Sequence, residues 1–468
     1  MKNITLIQPR HNYAPQEGFG HIYLSAPLLS FKARLLKVLG NTKIDYLDAN
    51  FSAPDYSKLD GIVGINLVGA PYIPEVLKII EKLNDDVDII LGGQIISSLT
   101  EEEFYKIFNQ KRKRVINGNI DKNIEDLFGL EIGILPKVEN INLIKSYQDI
   151  QGEQMKLYLE REFSLYLSQG CKYNCSFCQA VKGVPEIYRD FDMLKQELIY
   201  LSNRAKSLGI HTLKFYLSNL DILQTPNNFE KYLYTISEVI DNTGIKFDFR
   251  GLCGVESFLD VYNNNYDLLI KAKNLGLTSI GFGIDGATPE VWKSIGKGQN
   301  YKSLGKEKVF NEQEKSLEVI KLTSELGITP ETLMVFGHPG ETDESLKLAY
   351  EFSKEMYEKY GSIPRPHISK TIIPGAKAWY EKQNQDIVNS FIENPEYFQA
   401  LDYTALPSEL THSDTNLRRL ARKWYKKICN LDPINSTKYI IPDTPVYREI
   451  AYRLGKTITE LNLGKFDR

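Results

Sequence analysis

The chain has 468 residues, 42% of them hydrophobic and 25% charged, with a formal net charge of −3. That length is too great for one ordinary core and points to two or three domains of a globular protein. The weak net charge gives no bulk case for nucleic acid, no run approaches the ~18 apolar residues of a membrane span, and five cysteines in so long a chain argue against a disulfide framework.

The opening run Ile4-Thr5-Leu6-Ile7 reads as a first strand rather than a signal peptide, so a cytoplasmic setting, which keeps thiols reduced, is expected. Up to residue 140, apolar strand runs alternate with helical patterns. Strands are expected at Ile44–Asp48, Gly61–Asn66, Val87–Gly93 and Arg114–Gly118, with helices near Leu24–Leu39, Pro74–Leu83 and from Glu101. This alternation predicts a doubly wound, Rossmann-like parallel sheet of α/β class, which binds ligands beyond the carboxyl ends of its strands. Gly92 and Gly93 directly follow one strand and Gly118 follows the next, which lets backbone approach a flat ligand closely. Residues 141–160 are polar and mixed and read as a linker.

From Phe163 a strand delivers the run Gly170-Cys171-Lys172-Tyr173-Asn174-Cys175-Ser176-Phe177-Cys178-Gln179. Thiolates gathered this tightly usually hold a soft metal centre. Four would close a tetrahedral zinc or iron site, whereas three on a 4Fe–4S cluster leave one iron open to a small molecule. Zinc lacks a fourth ligand here, because the next histidine, His211, belongs to a separate segment; Cys253 and Cys429 stand alone and read as small buried apolar residues. Residues 161–376 continue in a β/α rhythm of six units, with chemistry expected at the strand ends. There stand Ser218 and Asn219, Arg250, Asp285, and Gly337 with Pro339. An Arg inside a barrel needs an anion, from a ligand or from a neighbouring acid. The glycines of Gly281–Gly286 lie within a strand and open no helix, so no dinucleotide fingerprint is read there. Residues 377–468 read as a small, mostly helical region (Asp386–Ile392, Thr415–Cys429, Val446–Leu454) that helps close the barrel; the basic, aromatic run Arg418–Lys427 reads as a solvated helix face.

The C-x3-C-x2-C spacing, with Phe177 just before the last cysteine, resembles the cluster loop of the radical S-adenosylmethionine (SAM) enzymes. In that family the open iron chelates SAM, and an electron from the cluster cleaves SAM to a 5'-deoxyadenosyl radical. The six β/α units are similar to the family's partial barrel. Phe336–Thr342 resembles its Gly-x-Pro-Gly-Glu-Thr turn, which implies that Gly337 and Pro339 lie beside the SAM adenine. The resemblance also implies Asp285 near the SAM ribose and Arg250 on the SAM carboxylate. Ser218 and Asn219 stand where many relatives carry two acids, and Pro374-Gly375 resembles the turn after the sixth strand. The N-terminal third is similar to the cobalamin-binding domain fused ahead of many such barrels, through Asp48, Asp60–Ile65, Leu91-Gly92-Gly93 and Ile116-Asn117-Gly118. This implies cobalamin on Gly92, Gly93 and Gly118, with Val68 and Tyr72 of the loop Leu67–Tyr72 covering the lower cobalt face. The Asp-x-His-x-x-Gly motif is absent, so no protein imidazole is expected on cobalt.

The cofactors implied are a 4Fe–4S cluster, SAM and cobalamin, reduced by a flavodoxin- or ferredoxin-type electron donor. The commonest activity of such a fusion is methyl transfer to an unactivated carbon or phosphorus of a small molecule or peptide. Rearrangement, ring contraction or cyclisation is the alternative, and a non-catalytic iron–sulfur protein a remoter one. Methylthiotransferases and RNA modifiers usually add cluster cysteines or a basic RNA-binding domain, and neither is read here.

Overall fold

The structure, a computed structural model, describes residues 2–10, 24–40, 42–51, 54–108, 114–160, 162–297, 312–401 and 414–432. The N-terminal part runs β1 (Ile4–Gln8), α1 (Ala26–Leu39), β2 (Ile44–Asp48), β3 (Ile62–Asn66), α2 (Ile73–Lys82), β4 (Asp88–Gly92), α3 (Gln94–Ser98), α4 (Glu101–Phe108), β5 (Val115–Asn117) and α5 (Asp121–Phe128). Its five strands form one parallel sheet in the order β2-β1-β3-β4-β5. β1 and β3 are buried along their whole length, as strands covered on both faces must be, and this is why they read as unbroken apolar runs.

Helices α6 (Ile144–Gln148) and α7 (Gly152–Glu160) follow. The segment expected as a linker is therefore folded. Tyr147, Met155, Tyr158 and Leu159 are buried in the core of the second sheet. The same segment grips the first sheet: Tyr158 donates to Asp48 (2.6 Å), Ser146 to the Leu29 carbonyl (2.9 Å) and buried Lys32 to Asp149 (2.5 Å). Its polar residues mask an apolar set that is short and split between two helices, so no clear period is visible.

The second part runs β6 (Glu162–Leu165), β7 (Ser168–Gln169), β8 (Ile187–Tyr188), α8 (Phe191–Ser207), β9 (Thr212–Leu217), α9 (Pro226–Thr243), β10 (Lys246–Cys253), α10 (Val255–Asn264), α11 (Tyr266–Asn274), β11 (Leu277–Gly283), α12 (Pro289–Ser294), α13 (Glu312–Glu325), β12 (Thr329–Phe336), α14 (Asp343–Tyr360) and β13 (Ile363–Ile368). Six strands form a parallel sheet in strict sequence order, β6-β9-β10-β11-β12-β13, the open barrel expected from the β/α rhythm. Local chemistry sets the ends: α9 begins on Pro226 and stops at left-handed Gly244, and α14 is opened by a Thr342–Ser345 capping box. In β10 and β13 buried residues alternate with half-buried ones, so one face packs on the helices and the other lines the barrel interior.

The chain beyond the barrel divides between the two parts. Residues 372–401, including α15 (Gln385–Glu393), return to the first sheet, where Ile372, Trp379, Phe391, Phe398 and Leu401 share a core with α2, α4 and β4. Trp379 is fully buried, worth roughly 5 kcal/mol at ~25 cal/mol per Å2 over ~200 Å2. Helix α16 (Thr415–Cys429) instead packs on α14 and β13, in the place of a sixth barrel helix. So 372–401 does not close the barrel; it packs on the first sheet. The basic, aromatic run is half solvated: Leu420, Ala421 and Trp424 are buried, and Lys423 and Trp424 donate to Asp343 (3.0 and 2.6 Å). The helix expected over Val446–Leu454 lies outside the described residues.

Candidate functional site

Beyond β6 the chain reaches the barrel mouth, and the short β7–β8 hairpin closes residues 170–186 into a loop. Gly170 opens that loop at φ +102°, and a Cβ there would lie 2.4 Å from the Pro185 carbonyl. Glycine is needed because the hairpin's two arms touch at that point. Backbone bonds cross the loop from Val184 to the Cys171 carbonyl (3.0 Å), from Gly183 to Tyr173 (2.8 Å) and from Cys178 to Cys175 (3.2 Å). Ser176 ties it to Ile295 at the end of α12 and to Lys377 (2.9 Å each).

Cys171, Cys175 and Cys178 are free and half-buried. Burial pushes the Cys171 thiol up to about 11 and the Cys175 thiol to about 12, and also raises Cys178, on which the Ala180 N–H (3.4 Å from Sγ) and Lys182 act in the opposite sense. Binding a metal here must therefore displace protons from three thiols. Among the described residues no group of three or more His, Cys, Asp or Glu side chains is drawn together closely enough to hold a single ion. Three cysteines with no histidine in the loop fall one ligand short of a closed tetrahedral zinc site, whereas cysteine sulfurs are the usual ligands of iron–sulfur clusters. The donor set therefore fits a cluster better than zinc.

Asp285 follows the end of β11 and has φ +62°, a rare backbone for a non-glycine residue. It is buried, its carboxylate receives Lys297 Nζ (2.6 Å), and both groups act electrostatically on Cys175. Its carbonyl bonds His338 Nε2 (2.9 Å), and the His338 ring lies 5.3 Å from that of Phe177 in the cysteine loop. Asp285 thus stands beside the cysteines.

The turn after β12 is built by Glu341, whose Oε2 accepts from the Gly337 (2.7 Å) and His338 (2.8 Å) N–H groups. Gly337 has φ +90°, and a Cβ there would press on Ala421 of α16 at 3.1 Å; Pro339 is exposed.

Arg250 is placed otherwise than expected. Strand β10 runs on to Cys253, so Arg250 lies mid-strand, below the mouth. Its guanidinium is bidentate on Glu162 of β6, lies 3.9 Å from Glu331 of β12 and stacks 4.8 Å over the Tyr216 ring. Glu331 also receives Arg365 (2.8 Å) and Ser279 (3.0 Å); burial works to raise its pKa, but the two guanidiniums hold it down at about 2. The anion that Arg250 needs is supplied by the protein, in an interior ion network that ties four strands.

Ser218 donates to the Leu165 carbonyl (2.9 Å) and faces the cavity described next. Asn219 does not face it. Asn219 is buried and donates to Ser168 Oγ (2.6 Å) and to Glu186 (3.0 Å), bracing the hairpin behind the cysteine loop. Glu186 and buried Asp221, which accepts from Ser257 (2.6 Å), are the acids of this region. No motif flagged them, since each lies in irregular chain next to a turn.

A cavity of about 750 Å3 opens between the two sheets. One wall is the carboxyl rim of the first sheet, with Asn66, Gly92, Gly93, Gly118 and Asn119; the other is the barrel mouth, with Ser164, Ser218, Gln179–Val181 of the cysteine loop, and Gly375. The glycines differ in role. A Cβ on Gly93 would strike the Leu67 carbonyl at 2.3 Å, and one on Gly118 would strike Ile90 at 2.5 Å, so both are dictated by the sheet itself. A Cβ on Gly92 meets only Asn119, at 3.5 Å, so Gly92 leaves real room. Val68 and Tyr72 are not on the cavity wall. Val68 is 52% exposed, and Tyr72 is buried in a single turn of 3-10 helix packed against residues 395–401. Among the described residues no histidine lines the cavity.

Residues 165–353 match the radical SAM superfamily model. This stretch is a radical SAM domain. An uncharacterized methyltransferase of Pyrococcus horikoshii is 22% identical over 383 residues, covering 75% of this chain and 77% of that protein. Among solved structures, the radical SAM methyltransferase TsrM of Kitasatospora setae, with tryptophan and a SAM analogue bound, superposes with a TM-score of 0.62 at 15% identity, covering 100% of this chain and 99% of that one. TsrM has also been solved with cobalamin and a [4Fe-4S] cluster. The cobalamin-dependent SAM radical enzyme OxsB, with aqua-cobalamin and SAM, gives 0.56 at 15% identity over 89% of this chain and 58% of its own length. The chain thus has the two-sheet fold of enzymes that bind these three cofactors.

Proposed function

We propose that this chain is a cobalamin-dependent radical SAM methyltransferase that acts on an unactivated carbon, or phosphorus, of a small molecule or peptide. The observation that carries the proposal is the shared cavity. A corrinoid seated on the Gly92 rim would stand against the loop that bears the three cysteines. The volume suits a large, flat cofactor, with Gly92 leaving space for it. Cys171, Cys175 and Cys178 would hold the cluster, Asp285 and the Glu341 turn would frame SAM, and the barrel interior above the Arg250 network would receive the substrate. When bound, these groups supply a radical initiator and a methyl carrier. The chain's own work is to orient them and to keep water from the space between. A flavodoxin- or ferredoxin-type protein is the proposed electron source. TsrM and the Pyrococcus relative carry the methyltransferase name, which favours methyl transfer over rearrangement.

The test is anaerobic purification followed by an ultraviolet–visible spectrum, then turnover of a candidate substrate with methyl-deuterated SAM. Bound corrinoid, deuterium in the product, and S-adenosylhomocysteine matching 5'-deoxyadenosine are expected, with 5'-deoxyadenosine lost in Cys171→Ala, Cys175→Ala and Cys178→Ala. Corrinoid with an unlabelled product would make the enzyme a rearrangement or cyclisation catalyst. Absence of corrinoid would remove the cobalamin assignment.

A further inference from the structure

Lys182 stands on the return arm of the cysteine loop, four residues after Cys178. Its Nζ donates to two backbone carbonyls, of Cys175 at 2.7 Å and of Cys178 at 2.5 Å. Both acceptors belong to residues whose side chains are candidate iron ligands. The side chain is half-buried. Those two bonds hold the ammonium against the backbone that carries the Cys175 and Cys178 sulfurs. Of the other cations near the cysteines, Lys297 is offset by Asp285 at 2.6 Å, and Lys172 donates to Ser257 at 2.9 Å. Among the described residues no carboxylate lies within ion-pair distance of Lys182.

We propose that Lys182 is a positioning residue that fixes the carbonyls of Cys175 and Cys178 and, through its positive charge, raises the reduction potential of the iron–sulfur cluster held by the loop. The inference rests on the cluster reading above. Each electron added to a thiolate-held cluster makes it more negative. A fixed cation in a partly water-excluded site stabilises the reduced form over the oxidised one, and net charge and hydrogen bonding are the protein's levers on such potentials. The two carbonyl bonds hold that cation in place. The step is a plain one-electron reduction, with dithionite as reductant in the assay; no bond forms or breaks and no proton moves.

Three variants separate charge from scaffolding. Lys182→Arg keeps charge and donors, Lys182→Gln keeps a donor without charge, and Lys182→Met removes both. Each is reconstituted anaerobically beside the wild type, assayed for iron and sulfide, and titrated with dithionite under paramagnetic resonance. Lys182→Arg is expected to match the wild type in metal content and potential. Lys182→Gln is expected to keep its iron but to shift the oxidised-to-reduced ratio at fixed potential on the order of tenfold, a fall of about 59 mV for a one-electron couple. A wild-type potential in Lys182→Gln overturns the inference alone. So does loss of iron from Lys182→Gln and Lys182→Met alike, which would leave Lys182 a structural staple. A wild type that holds no cluster sinks the cluster assignment and this inference together.

Discussion

Substitution of Glu341 by glutamine should reverse part of the protein's dependence on pH. Glu341 is 7% exposed, and its Oε1 has no hydrogen-bond partner. Burial pushes its pKa from an ordinary 4.5 up to about 7, against the lowering effect of the two N–H groups on Oε2. The folded state therefore holds this proton more tightly than the unfolded chain does. The associated stability is fully present below about pH 4.5 and is lost as the pH rises through about 7. At 1.36 kcal/mol per pKa unit the difference is about 3 kcal/mol. Glu341→Gln keeps a carbonyl oxygen for the Gly337 and His338 N–H groups and cannot ionise. Thermal unfolding of both proteins from about pH 4.5 to about pH 8 should show the variant gaining roughly 6–12 °C over the wild type toward the alkaline end, at 2–4 °C per kcal/mol for a domain of this size. Comparing the two proteins at each pH removes every other titrating group. A difference that stays constant across that range would refute the reasoning. So would one that grows toward acid.

Two further outcomes follow from side-chain placement. Gly92→Phe should leave the fold intact and abolish corrinoid retention, read by thermal unfolding and by visible absorbance, whereas Gly93→Ala should destabilise the first sheet, because its Cβ has no room beside the Leu67 carbonyl. Arg250→Met should destabilise the barrel by about 3–5 kcal/mol, since it takes the guanidinium away from both Glu162 and Glu331, yet leave SAM affinity unchanged in those molecules that stay folded. A large loss of SAM affinity at full stability would return Arg250 to the cofactor site.

The barrel strands were legible because their buried faces repeat every second residue. The rhythm of six β/α units appears as six parallel strands, and the Rossmann-like alternation is read through β5. Errors gather where local chemistry competes with period. The sequence places Arg250 at a strand end, but β10 runs on through Gly251, where a Cβ would meet Ile222 at 2.5 Å and the glycine serves strand packing. Helix α10 starts straight after the strand on Gly254, with no side-chain cap to announce it in the sequence. The cysteine loop was legible from spacing alone. The cavity was not, because its walls come from residues near 66, 92, 118, 164, 180, 218 and 375, and no local pattern carries such distances.

Gly92 and Gly93 make the same point more sharply. In sequence they are equivalent, two glycines after a strand, each saying only that a side chain is unwelcome. In the fold the obstruction at Gly93 is the chain's own Leu67 carbonyl, while Gly92 borders open cavity. Arg250 obeys the same logic: its charge demands an anion, and the demand is visible in the sequence, but Glu162 and a bound carboxylate satisfy it equally well on paper. A sequence therefore exposes requirements, whereas function depends on which requirements the protein leaves for a ligand to meet. By that criterion the proposed function rests, among the described residues, on Gly92, which borders the cavity, and on the three cysteine thiols, whose loop supplies part of its wall through Gln179–Val181.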